Sequence, residues 1–380
     1  MIVNKIRGIS SALGSLISKR NAVSRNFGSA SIHTQNRDIW GSSQRSEEQA
    51  LEVDWFPMKV SDLNLIGNKL MVVGQGPNST HPSYTDKEYR KRRDYIGRLG
   101  IGHKMGDPIK RANYTASENK LWQHIYTSVR PLHEEVYCDQ YLQAIRDLER
   151  LGIFRPDRIP ELDDLDSWLS QVSDWRTKPV GGILTQREFL NCLAFKTFCS
   201  GQFLRHPAQP EYTPEPDIMH EYVGHIPSFA NRQICDLSQR LGELSLGATD
   251  AQVAEIGTIY WYTIEFGLCI QNQDVKVYGA GPAGSVAEMK RIQERVRNNR
   301  NSLRKLDIMK NDMPQEIEDE DLQSIFYTAA SYDDFISQIE AYTSRFERKF
   351  HLRFDKRTSS YTCDKELKFL NSPVLINSAN

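Results

Sequence analysis

Residues 212–225 read Tyr-Thr-Pro-Glu-Pro-Asp-Ile-Met-His-Glu-Tyr-Val-Gly-His. Two imidazoles, His220 and His225, stand among three carboxylates, Glu215, Asp217 and Glu221, just after prolines that hold the backbone extended. These are the donors of a metal centre. Histidines five apart lie about 140° apart on an α-helix, so both reach one ion only where the helix ends or bulges between them. Gly224 marks the place for such a break. The zinc-peptidase pattern H-E-x-x-H needs its second histidine four positions on, where this chain has Gly224, so the stretch is not that motif.

Working outward, Ile256–Ile270 (Ile-Gly-Thr-Ile-Tyr-Trp-Tyr-Thr-Ile-Glu-Phe-Gly-Leu-Cys-Ile) reads as a helix apolar on nearly all sides, with Glu265 its one charge. A carboxylate taken out of water costs several kcal/mol unless it is neutralised, paired with a core arginine or bound to a metal. With two histidines in need of a third ligand, Glu265 would complete a 2-His-1-carboxylate triad of the kind that holds non-haem Fe(II).

The rest of the chain sets the frame. It has 380 residues, 39% of them hydrophobic, enough for one large core or two ordinary domains, and a net charge of −1 argues against a nucleic-acid surface. No apolar run is long enough to span a bilayer. The six cysteines form no C-x-x-C pair and no disulfide framework, which suits reduced thiols. The first 37 residues hold six basic side chains and no acid, as in an organelle transit peptide; residues 1–50 are therefore set apart from the fold, the alternative being a weakly basic tail. Residues 74–82 read as an exposed loop. Leu142, Ile145, Leu148 and Leu151 recur at threes and stop at Gly152, an amphipathic helix with its terminal glycine. Thr185 with Glu188, and Ser285 with Glu288, have the spacing of capping boxes. No linker divides residues 55–350, so one catalytic domain, 51–350, is expected, followed by a hairpin arm and tail over 351–380.

Eight collinear stretches carry a family resemblance: Pro179-Val-Gly-Gly-Ile-Leu184, Phe189-Leu190, Gln202-Phe-Leu-Arg205-His206, Tyr212-Thr-Pro-Glu-Pro-Asp217, His220-Glu-Tyr-Val-Gly-His225, Ile259-Tyr-Trp261, Glu265-Phe-Gly-Leu-Cys269 and Tyr278-Gly-Ala-Gly281. Residues from about 55 to 360 resemble the pterin-dependent aromatic amino acid hydroxylases. The resemblance implies a mainly α fold, a helical basket around a non-haem iron with a short C-terminal β-hairpin. It implies His220, His225 and Glu265 as iron ligands, and Arg205 as the grip on the substrate carboxylate, supported by Thr213 and Asp217. Pro216, Trp261 and Phe266 become the aromatic-pocket walls, with Ser285 near the substrate. Phe189 stacks on the pterin beside Gly182, Leu184 and Tyr260, while Glu221 is the pterin-side carboxylate and, with Trp261, acts in catalysis. The cofactors implied are Fe(II) and tetrahydrobiopterin or a related tetrahydropterin.

The expected reaction is ring hydroxylation of a free aromatic amino acid by dioxygen, with phenylalanine converted to tyrosine in phenylalanine catabolism; tyrosine or tryptophan is the alternative substrate. Three departures accompany the resemblance: Gly284 stands where animal members have serine, Val73 aligns with their mobile-loop tyrosine, and only the transit-like segment stands ahead of Trp55 where animal members have a regulatory domain; separately, Asp319 aligns with an aspartate of tyrosine hydroxylases. A zinc hydrolase using Glu221 as base, or a catalytically silent homologue, would leave Arg205 and Phe189 unexplained. A homodimer or monomer is expected, because no sustained heptads follow the hairpin. The expected location is the mitochondrial matrix, with the cytoplasm as the alternative.

Overall fold

The computed structural model describes residues 50–70, 81–211, 213, 215–310, 312–314 and 322–371. The transit-like segment, Val73, most of the 74–82 loop and Asp319 lie outside the described residues. The chain enters through strand β1 (Leu51–Asp54) and then forms four helices, α1 (Lys87–Ile101), α2 (Ala116–Val136), α3 (Asp139–Arg150) and α4 (Leu162–Ser173). Their starts follow from their sequences: the Asp86 carboxylate accepts from the N–H groups of Glu88 and Tyr89, and Thr115 with Glu118 closes a capping box. α3 stops at Gly152, whose φ of +68° favours glycine. Leu142, Ile145 and Leu148 are buried as expected, whereas Leu151 is half exposed, because a stride of three drifts off the face of a 3.6-residue helix.

β2 (Arg176–Pro179) and β3 (Thr197–Ser200) pair in parallel and flank α5 (Gln186–Leu193), which carries the Thr185–Glu188 capping box that the sequence shows. A π-helical segment, Met219–His225, precedes α6 (Arg232–Ser245) and α7 (Asp250–Tyr260), and α7 passes directly into a second one, Trp261–Glu265. The apolar run expected as one helix to Ile270 therefore changes winding after Tyr260 and ends at Glu265. Phe266 leaves helical geometry at φ −124°, ψ 21°, and residues 268–271 become strand β4 (Leu268–Gln271). β4 is claimed by neighbours on both sides, antiparallel β5 (Asp274–Val277) and, further on, parallel β7; the run is apolar on every face because it is buried as helix and as strand alike.

α8 (Val286–Asn298) follows a tight turn at Gly281–Gly284, and the short strands β6 (Arg304–Lys305) and β7 (Tyr327–Ala329) complete a four-stranded sheet in the order β5-β4-β7-β6. α9 (Tyr332–Arg345) leads to β8 (Leu352–Asp355) and β9 (Ser360–Cys363), the antiparallel hairpin that the sequence predicts. The hairpin does not stand apart from the body. The Tyr361 hydroxyl donates to Ala194 O at 2.7 Å, and β10 (Leu367–Leu370) runs parallel to β1, so chain regions more than 300 residues apart share one ladder. The architecture is helix-rich around one continuous apolar core, with the sheets as small clasps.

Candidate metal centre and cofactor cavity

Both π-segments exist for a geometric reason. With backbone bonds from residue i to i+5, such as Ile226 N–H to Glu221 O, residues five apart are brought from about 140° to about 50° of each other, so His220 and His225 share one face. The second segment repeats this: Phe266 N–H donates to Trp261 O at 2.9 Å. Widening a helix leaves carbonyls without their usual partners, and side chains from elsewhere satisfy them. Tyr141 donates to Val223 O at 2.7 Å and Ser228 to Gly224 O at 3.0 Å. Gly224 does not break the helix; it sits inside the segment, where a Cβ would meet Ala280 O at 2.5 Å. The Gly281–Gly284 turn is clamped beneath: a Cβ on Gly284 would lie 2.8 Å from Met219 C and O, and the His133 ring nitrogen Nε2 pairs with Ala283 O at 2.9 Å.

Three donors converge here. His220 Nε2 and His225 Nε2 are 3.0 Å apart, and each lies 3.1 Å from an oxygen of Glu265. Glu265 is 3% exposed, so its charge needs a cation. Burial alone would raise its pKa, but the two imidazoles bring it down to about 2, while burial pushes His220 down to about 4. A neutral His220 imidazole and an ionised Glu265 carboxylate are protonation states that suit metal ligands. With one donor atom taken from each side chain, the three lie within 4.8 Å of one another, close enough to share a single ion.

Beside the triad lies a cavity lined by His220, His225, Glu221, Pro216, Phe189, Gly182 and Leu184, which brings together seven residues singled out from the sequence. The Phe189 ring is held edge-on by Tyr260, 5.2 Å between centroids and 83° between planes. Tyr260 itself lies behind this wall, tilted 26° from the His225 ring. Burial, with the charges of Glu265 and Asp217 adding to it, raises the Glu221 carboxyl well above its usual range.

The cavity also takes Val180, Ile183, Cys199, Gly201 and Phe203, to which the sequence reading gave no role, and Glu215, which it named only among the carboxylates around the two histidines. Cys199, Gly201 and Phe203 alternate along an extended segment, so a period of two was the available signal there. Glu215 is held by Arg93 from α1, whose guanidinium lies 3.8 Å from the Phe203 ring centroid.

Arg205, Asp217, Thr213, Trp261 and Phe266 are not among the residues lining this cavity. Asp217 takes Arg205 Nε and Nη2 at 2.8 Å each, both residues being buried, and Arg205 Nη1 donates to Pro210 O at 3.2 Å. Among the described residues these bonds use three of the five guanidinium N–H groups, so one on each terminal nitrogen has no partner there and suits a carboxylate. Thr213 donates to Glu215 O and shapes the turn without a bond to Arg205. Trp261 and Phe266 pack together at 4.8 Å, 46° apart.

Ser285, expected near the substrate, instead has its hydroxyl accepting from Glu288 N–H as the cap of α8. The reciprocal half of that capping box is not made, because the Glu288 carboxylate accepts from Gln323 N–H.

The whole constellation matches one family: residues 54–374 fit the biopterin-dependent aromatic amino acid hydroxylases. The chain belongs to this family. It is 36% identical over 307 residues to human tyrosine 3-monooxygenase, covering 81% of this chain and 57% of that protein. It is 36% identical over 319 residues to phenylalanine-4-hydroxylase of Dictyostelium discoideum, covering 83% of this chain and 71% of that one. The chain thus spans little more than half of the human relative. Phenylalanine hydroxylase of Chromobacterium violaceum, crystallised with iron(III) and 7,8-dihydrobiopterin, superposes with a TM-score of 0.56 at 25% identity, over 67% of this chain and 89% of that one. Family members are pterin-dependent, and the match across 54–374 removes the case for a zinc hydrolase. Among the described residues no helix is long and apolar enough to cross a membrane.

Proposed function

We propose that this chain is an iron- and tetrahydropterin-dependent monooxygenase that hydroxylates the ring of a free aromatic amino acid, converting phenylalanine to tyrosine in phenylalanine catabolism. The observation that carries the reading is the convergence of His220, His225 and Glu265 on one edge of a cavity whose wall is Phe189. Fe(II) and tetrahydropterin, when bound, supply the electrons that activate dioxygen. His220, His225 and Glu265 would hold the metal. Phe189 offers its face to the flat pterin ring, with Gly182, Leu184 and Glu221 around it. Arg205, braced by Asp217, takes the amino-acid carboxylate on its two remaining N–H groups, and Pro216, Trp261 and Phe266 orient the ring and exclude water.

Phenylalanine suits walls that offer an aromatic ring apolar contact. Tyrosine is the second reading, favoured by the similarity to human tyrosine 3-monooxygenase and by Asp319. A pocket that makes no hydrogen bond to the extra hydroxyl separates the two by only about 100-fold. The deciding experiment is metal analysis with tetrahydropterin-dependent oxygen uptake on phenylalanine, tyrosine and tryptophan, in the parent and in Asp319→Val. Iron-free activity, or none with any of the three, refutes the function; a tyrosine preference that disappears in the variant selects the second reading. The proposed location is the mitochondrial matrix and the proposed assembly a dimer or monomer. A fusion of residues 1–50 that stays cytosolic, or a stable tetramer in sedimentation, refutes the respective half.

A further inference from the structure

The indole of Trp261 is held from outside its own helix. Its Nε1–H donates to Gln323 Oε1 at 3.3 Å, Gln323 Nε2 donates to Ile325 O at 2.7 Å, and Gln323 N–H donates to Glu288 Oε1 at 2.7 Å. Trp261, Gln323 and Glu288 are all buried. The amide cannot reverse, because Ile325 O only accepts and the indole N–H only donates. Ser285 N–H, which a closed capping box would give to Glu288, bonds to Pro282 O instead. A three-residue strut thus runs from the first turn of α8 to Trp261, the residue that begins the π-segment ending at Glu265. Such a strut is more than packing demands: an apolar side chain would fill the space, whereas an oriented acceptor fixes the indole edge in one place.

We propose that Gln323, itself fixed by Glu288, is a positioning residue that sets the tilt of Trp261 against Phe266 and thereby the fit of the amino-acid ring. The inference rests on reading Trp261 as a wall of the substrate pocket. Its signature is selective: the amino-acid side of the reaction changes and the pterin side does not, since neither Gln323 nor Glu288 lines the cavity that Phe189 walls.

The test uses the full chain loaded with iron, comparing Gln323→Leu and Gln323→Met with Trp261→Phe, Trp261→Ala and the Gln323→Leu/Trp261→Phe double variant. Measured are KM for amino acid and for pterin, hydroxylated product per pterin oxidised, iron content and the unfolding transition. Gln323→Leu is expected to raise amino-acid KM about threefold to tenfold and to lower product per pterin, the effect of one lost hydrogen bond, with pterin KM and iron content at parental values. In the Trp261→Phe background, where the donor is gone, the same substitution should add nothing further. Unchanged amino-acid KM in Gln323→Leu and Gln323→Met while Trp261→Ala raises it overturns the inference alone. An unchanged KM in Trp261→Ala overturns the pocket-wall reading and the inference with it. Loss of iron or of cooperative unfolding in both Gln323 variants assigns Gln323 to the fold and also overturns it.

Discussion

Replacing Gly224 by alanine sets two physical effects against each other. On helix propensity alone the change should stabilise, since alanine is better than glycine in a helix interior by about 0.8–1.0 kcal/mol. The tertiary structure reverses the sign. The new Cβ would lie 2.5 Å from Ala280 O and 3.2 Å from Ala280 C, backbone atoms that cannot rotate away. An ordinary C···O approach is about 3.3 Å, so the π-segment and the turn below it must part by roughly 0.8 Å. Overpacking of this kind costs about 1–3 kcal/mol, which cancels the propensity gain and leaves a net loss of up to about 2 kcal/mol in the metal-free protein. His220 and His225 flank the position, and the same shift moves them relative to Glu265, so iron affinity should fall about tenfold or more. The assay is urea unfolding with and without Fe(II), together with chelator competition. Gly102→Ala is the control, because its Cβ meets only Arg98 O at 3.6 Å; it should stay within about 0.5 kcal/mol of the parent. A Gly224→Ala protein as stable as the parent, with parental iron affinity, would refute the reasoning.

His225→Ala removes one of three ligands and should abolish iron retention and turnover while leaving the far-ultraviolet circular dichroism helical; a variant that keeps iron and full activity removes the assignment. Arg205→Ala should raise amino-acid KM and cost about 2–4 kcal/mol in kcat/KM at normal iron content. Because Asp217 is fully buried, this variant should also unfold at lower denaturant than the parent, and unchanged amino-acid saturation counts against the pose. His133 gives a pH signature: burial lowers its pKa from 6.5 to about 4. Above that window both states hold it neutral. As pH falls from about 6.5 towards 4 the unfolded chain takes up the proton and the folded chain does not, so about 3 kcal/mol of stability is lost. His133→Phe should flatten that part of the stability curve, and an unchanged slope would disprove the shift.

By itself the sequence determined what depends on residue type and short spacing. The two histidines, Glu265 in its apolar run, the Thr185–Glu188 box and the glycine that stops α3 are local chemistry, legible without coordinates. Family resemblance added the roles of Arg205 and Phe189, which spacing alone does not contain. Tertiary structure decided the winding. Whether Met219–His225 is α or π depends on Tyr141 bonding Val223 O from 82 residues away and on Ala280 pressing against Gly224. The apolar run became strand after Phe266 because β5 and β7 were there to pair with it. Glu288 left its capping box because Gln323, 35 residues on, offered a buried N–H. In each case a local rule was overridden by a partner distant in sequence, since buried backbone and carboxylate groups must be satisfied by whatever group the fold brings beside them.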